Sequence, residues 1–137
     1  MLEVIRYEIE DLHRFFVAWF TGAIEDSDQV FAAQFSSRFA PEFQMVAPSG
    51  ARTKLPALAN GLRSAHGSNP AFEIDIVDVS MVTASERVFV ATYMERQRNA
   101  KNTHPPDNDR FSTAVFRKND ERLLWVHLQE TGCRPSD

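Results

Sequence analysis

Residues 87–98 read RVFVATYMERQR, and this stretch decides the fold. Its centre, Val88 to Met94, is mostly β-branched and aromatic, with no Gly or Pro. Such side chains suit an extended strand, whose residues alternate between two faces. Here both alternations are apolar, so the strand needs cover on both sides. Working outward, residues 99–108 are polar around Pro105-Pro106 and read as a loop. Residues 111–116, FSTAVF, form the next strand, Lys118 to Glu121 a turn, and residues 123–131 the last strand. On the other side, Phe72, Ile74 and Ile76 alternate with Glu73 and Asp75 as a half-buried strand, which residues 77–82 continue.

The N-terminal half has a different period. Ile5, Ile9, Leu12, Phe16, Trp19 and Ala23 recur in steps of four and three, one face of a helix that Phe15 and Phe20 widen and Gly22 stops. A second helix takes Asp26 as N-cap, with Gln29 completing a capping box and Val30, Phe31 and Phe35 as its buried stripe. Pro41 lies at or beyond its end. Residues 42–47 suit a short strand, and Pro48, Ser49 and Gly50 a turn. Thr53 caps a third helix bearing Leu55, Leu58, Ala59, Leu62 and Ala65, closed by Gly67. The order is therefore α-α-β-α-β-β-β-β, an α+β domain whose antiparallel sheet curls around the helices. The outer side of the central strands still needs cover. A second copy of the same sheet, in a two-fold homodimer, is the simplest one.

With 137 residues the chain is sized for one domain, taken as 1–132, with a loose tail at 133–137. The 11 Phe residues demand a large core or a lined cavity. A net charge of −4 with scattered Lys and Arg argues against nucleic acid and membrane surfaces as partners. The longest apolar run, residues 15–20, is far too short to cross a bilayer. Acidic residues interrupt the N-terminal segment where a signal peptide needs an apolar run, and Cys133 is the only cysteine, so a cytoplasmic location is expected. No cofactor is expected, since no Gly-rich phosphate loop is present. No metal is expected either: His13, His66, His104 and His127 match neither HExxH nor zinc-ribbon spacing. Ser49-Gly50 lies outside any GxSxG elbow.

Three segments resemble the nuclear-transport-factor-2-like superfamily, also called polyketide-cyclase-like or ketosteroid-isomerase-like. They are Phe39-Ala40-Pro41-Glu42-Phe43-Gln44-Met45-Val46 leading into Pro48-Ser49-Gly50, then Thr113-Ala114-Val115-Phe116, then Val126-His127-Leu128-Gln129-Glu130-Thr131-Gly132. The resemblance covers nearly the whole chain and is that of a small bacterial member. It implies a curved sheet and three helices forming a cone around a pocket, usually in a dimer. The last two segments also look like the association domain of calcium/calmodulin-dependent kinase. There the last strand often carries two His before a Ser; here His127 matches the first, while Gln129 and Thr131 replace the others. Positions that look like Met94 and Ala114 carry pocket arginines in that domain, so their loss implies a less cationic pocket.

The resemblance also directs attention to chemistry. Ketosteroid-isomerase-like members place a catalytic Asp just before the turn proline, where this chain has Ala47, which argues against steroid isomerisation. Asp75 and Asp78 lie on a strand side that reads as exposed. A dehydratase of this fold class uses His and Tyr around a pocket water, which makes His66, His127 and Tyr93 a conceivable trio, with Arg110 as an anion anchor or carbonyl-polarising group near the rim. His66, near a helix C-terminus, is equally explained by the helix dipole. Trp125, His127 and Gln129 share one face of the last strand, and Val126, Leu128 and Glu130 the other; the pattern does not say which points inward. The polar set suits a pocket and suits a dimer seam. Glu95 reads as a buried acid of raised pKa or as the partner of a cross-strand Arg. Phe16, Trp19, Phe43, Met45, Met94, Ser112 and Gln129 are the candidate ligand-lining residues. Three readings stay open: a homodimeric pocket protein for a small apolar or aromatic ligand, a lyase or isomerase working by proton transfer, and an association module with a vestigial pocket. Titratable groups converging on the inner face favour the enzyme, and a filled cone favours the module.

Overall fold

The apolar stripe of the first segment forms α1 (Leu2–Thr21), which buries Ile5, Ile9, Leu12, Phe15 and Trp19. The computed structural model describes residues 1–133. Gly22 ends α1 with φ 79°, a left-handed conformation that costs glycine nothing. A side chain there would also crowd the backbone of Gly67, whose N–H donates to the Trp19 carbonyl. α2 (Asp28–Gln34) is capped by Ser27, whose hydroxyl accepts from the Val30 N–H at 3.1 Å. Asp26, the expected cap, instead pairs with Arg63. A short 3₁₀ turn (Ser36–Arg38) leads into β1 (Phe39–Val46). Thr53 does not cap a helix; it lies in a short strand, β2 (Arg52–Lys54), that folds back on β1. α3 (Leu55–Arg63) follows with Pro56 in its first turn, where a missing N–H costs nothing. Then come β3 (Glu73–Ala84), β4 (Val88–Arg98), β5 (Asn108–Asn119) and β6 (Arg122–Cys133).

The fold is α+β, with three helices against one curved, open six-stranded sheet of order β2-β1-β6-β5-β4-β3. The expected strand count misses β2, whose three residues are too few to show a period. The sheet is also mixed where an antiparallel one was expected: β1 runs parallel to its neighbour β6. Cys133 closes β6. The rest of the expected tail, 134–137, lies outside the described residues. No described helix is long and apolar enough to cross a membrane.

The long strands stack their inward side chains in rows. Phe89, Phe116 and Trp125 make an aromatic row, packed on the Phe-rich helices through Phe39 and Phe35. Ala91, Ala114 and Leu128 make the next, then Tyr93, Ser112 and Glu130, then Glu95 beside Arg110. The inner face thus grades from aromatic at one end to polar at the other.

One residue sets this grading. Phe116 pairs with Trp125 and Val115 with His127, leaving Val126 without a ladder partner. This β-bulge exchanges the faces of β6. Before it Leu123 and Trp125 point into the core; after it Leu128 and Glu130 do. The expected grouping of Trp125, His127 and Gln129 on one face therefore fails.

Candidate functional site

A cavity of about 440 Å³ opens between the helices and the concave face of the sheet. α1 lends it Leu12, His13, Phe16 and Phe20, α3 lends Leu58 and Leu62, and β1 lends Phe39, Phe43 and Met45. These walls are almost wholly apolar because each element turns its hydrophobic stripe inward. Glu95, Gln97, Arg110 and Glu130 supply a polar side from β4, β5 and β6. Residues 100–103 of the β4–β5 loop border the mouth, tied down by Lys101 Nζ on the Ser68 carbonyl and Asn69 Nδ2 on the Asn99 carbonyl.

The polar groups form one continuous hydrogen-bonded chain. His13 Nδ1 donates to the Ile9 carbonyl at 2.6 Å and Nε2 to Glu95 Oε1 at 3.0 Å. Gln97 Nε2 donates to the other Glu95 oxygen at 2.6 Å. Asn108 Nδ2 reaches Gln97 Oε1 at 3.4 Å, and Asn108 Oδ1 accepts from Arg110 Nε at 3.0 Å. Arg110 Nη1 then donates to Glu130 Oε1 at 3.1 Å. Both imidazole nitrogens of His13 face acceptors. A neutral ring has one N–H to offer, so the arrangement suits the imidazolium.

The electrostatics agree. Burial alone would lower the pKa of His13, but the Glu95 carboxylate, with help from the Ile9 carbonyl, holds it above the usual value. Burial pushes Glu95 upward, yet His13, Gln97 and Arg110 together bring it below the usual value. The two form a buried ion pair. Glu130 behaves differently: burial first, and the Glu95 charge second, push it up to about 7, while Arg110 pulls back. Beside it Tyr93 is fully buried, its ring 5.5 Å from His13. Burial, and then the Glu95 and Glu130 charges, raise the Tyr93 pKa well above its usual value, and Ser112 offsets this slightly. The Tyr93 and Ser112 hydroxyls face each other without a well-formed hydrogen bond.

Of the residues expected at the site, Phe16, Phe43, Met45 and Arg110 line the cavity. Arg110 is not a free anchor, since Glu130 occupies it. Trp19 lies in the core, its indole N–H donating to the Leu62 carbonyl at 2.7 Å. His66 packs edge-on against Trp19, with Nε2 2.6 Å from the Ile24 carbonyl, away from the cavity wall. The bulge puts His127 and Gln129 on the outer face, and Met94 lies there too, near Cys133. Tyr93 and Ser112 sit beneath the polar side rather than on the wall. His66, His127 and Tyr93 are therefore not brought together. Asp75 and Asp78 are exposed, as read from the sequence. Glu95 is the expected buried acid, but its partner is His13 and its pKa moves down.

Sequence reasoning missed His13, Gln97 and Glu130. A signal existed for the first: His13 falls four residues after Ile9 and three before Phe16, a polar residue inside the apolar stripe of α1. Glu130 became inward only through the bulge.

No family model and no curated protein matches the sequence. Solved structures do. One is an NTF-2-like protein of unknown function from Pseudomonas aeruginosa, 33% identical, with a TM-score of 0.84 over 95% of this chain and 98% of that one. The chain belongs to the NTF2-like superfamily. A protein with a cystatin-like fold from Caulobacter vibrioides shares the NTF2-like architecture at 16% identity and TM-score 0.71, over 97% of this chain and 89% of its own. The CamKII hub homology domain of Chlamydomonas reinhardtii does so at 14% identity and TM-score 0.59, over 77% of this chain and 89% of its own. At these last two identities the likeness is one of fold.

Proposed function

We propose that this NTF2-like chain is a homodimeric, cytoplasmic pocket protein that binds a small apolar or aromatic organic ligand. The observation that carries the reading is the 440 Å³ cavity, apolar on most of its wall and polar on one side. That volume and lining suit a small organic molecule with one polar end. The open cavity counts against an association module with a vestigial pocket. Homodimer formation is inferred from the outer face of β4, β5 and β6, where Val90, Val115 and His127 form one row and Met94 and Phe111 another.

The test is a thermal-shift screen with uncharged aromatic compounds, repeated on Met45→Trp. Ligands should raise the wild-type melting temperature as their concentration exceeds Kd. The added indole should occupy part of the cavity and reduce the shift while the protein stays folded. No response across a broad apolar library would overturn the reading.

A second reading, a lyase or isomerase acting by proton transfer, is favoured by one specific feature. Besides Lys101 at the mouth, four ionisable groups converge on the cavity, and one of them, Glu130, titrates at about 7, where a carboxyl exchanges protons at neutral pH. In that reading Glu130 replaces His127, His66 and Tyr93 as the acid–base group, and Arg110 polarises the substrate carbonyl. Ala47 keeps steroid isomerisation outside it. Turnover of any bound carbonyl compound that Glu130→Gln lowers by 100-fold or more, without weakening binding, would support it.

A further inference from the structure

We propose that filling the cone with an uncharged apolar ligand is coupled to uptake of one proton by the Glu130 carboxyl, so the pocket holds such ligands at slightly acid pH and releases them at slightly alkaline pH. This rests on the pocket reading above and deepens it.

The geometry singles out Glu130. In the polar chain, both nitrogens of His13 and both oxygens of Glu95 are engaged. Glu130 uses only Oε1, on Arg110; its Oε2 takes no hydrogen bond from any described residue. The side chain is nevertheless 4% exposed and lines the cavity. The neighbouring strand β1 and the helix α3 add Phe43, Met45, Leu58 and Leu62 to the cavity wall, and their side chains offer no donor. Water reaching through the mouth is therefore what solvates the second oxygen when the carboxyl is ionised. An apolar ligand displaces that water and brings no charge in exchange. The ionised form then loses solvation and the protonated form does not.

The other charges facing Glu130 leave this sign intact. Arg110 from β5 already pairs with it. His13 from α1 and Glu95 from β4 neutralise each other. Lys101 at the mouth is held on a backbone carbonyl. Tyr93 keeps its proton throughout the neutral range. In the empty pocket Glu130 titrates at about 7, so the coupling falls in the physiological window. By linkage, a ligand that raises this value binds more weakly as pH rises past it, by up to about tenfold per pH unit.

The probe is N-phenyl-1-naphthylamine, an uncharged apolar fluorophore, titrated into the wild-type protein from pH 5.5 to 8.5. Its Kd should stay level below pH 6.5 and rise about tenfold or more by pH 8.5. Glu130→Gln, which keeps a neutral polar group, should bind with the acid-side Kd at every pH. Calorimetry of the wild type at pH 7.5, in buffers of different ionisation enthalpy, should show up to roughly three-quarters of a proton taken up per ligand, since about a quarter of Glu130 is already protonated there, and needs no variant. A flat wild-type Kd, or zero proton uptake, overturns the coupling while leaving the pocket reading standing. A pH dependence that persists in Glu130→Gln assigns the proton to another group, His13 first, and also overturns it. Absence of binding at every pH overturns the pocket reading and the coupling together.

Discussion

His13 is a single polar residue on an apolar helix face, and its partner explains its presence. It meets Glu95 in a setting where each side chain is about 5% exposed or less. A buried ion pair contributes little net stability, but removing one member leaves the other charged and unpaired. His13→Ala should therefore destabilise the protein by about 3–5 kcal/mol, read from urea unfolding. Replacing both residues by Met should cost much less, and a double variant as unstable as the single one would contradict the pairing. The pH dependence follows from the same residues. Between its ordinary value and about 7, native Glu130 binds a proton that the unfolded chain releases, so stability falls as pH rises through that window. The stability that His13 gains from Glu95 is present below its ordinary value and is lost as pH rises through its raised folded value. Glu95 works oppositely: its contribution is present above its ordinary value and fades as pH falls through its lowered one. Unfolding free energy should thus peak at mildly acid pH and decline toward pH 8.5. Glu130→Gln should flatten that decline, by up to roughly 3 kcal/mol at the alkaline end.

At the scale of elements, the bulge in β6 decides what the cone contains. If Val126 were paired in turn, with no bulge to absorb it, either Trp125 or the pair Leu128 and Glu130 would have to leave the interior. Deleting Val126 should leave a regular ladder with Trp125, Leu128 and Glu130 still facing in, at a cost of about 1–2 kcal/mol rather than that of a lost buried Trp. Val126→Ala, which keeps the count, should cost about 1 kcal/mol or less. A loss of about 3–5 kcal/mol on deletion, read from urea titrations, would show instead that the interior depends on the bulge itself. The bulge also marks where the sequence stops being legible. The helices were readable from steps of three and four, and the long strands from their alternation. The curvature around the Phe-rich helices followed from where the aromatic residues fall. β2 was too short to show a pattern, and parallel pairing of β1 with β6 joins residues more than 80 positions apart. Residue spacing within β6 carries no mark of an unpaired Val126, so its inward face could not be assigned. Half of the site depended on that assignment.

At the scale of the molecule, the outer face of the sheet carries apolar side chains. It presents Val90, Thr92 and Met94 on β4 beside Phe111, Thr113 and Val115 on β5, and Phe111 is 43% exposed. If two copies meet there, Val115→Glu should split the dimer, because a buried unpaired carboxylate is costly. Sedimentation velocity should show a wild-type dimer and a variant monomer that still binds the naphthylamine probe. A wild-type monomer at micromolar concentration would remove the dimer from the proposal. The polar chain behind the cavity has a consequence of another kind, in the order of synthesis. His13 is made 82 residues before Glu95. Glu8, also on α1, receives the indole N–H of Trp125 after 117 residues. α1 thus waits for β4 to match His13 and for β6 to complete the partners of Glu8. Contacts of that sequence separation make for slow, all-or-none folding. A nascent chain that stops short of β6 carries a finished helix without the last of the partners that hold it in place.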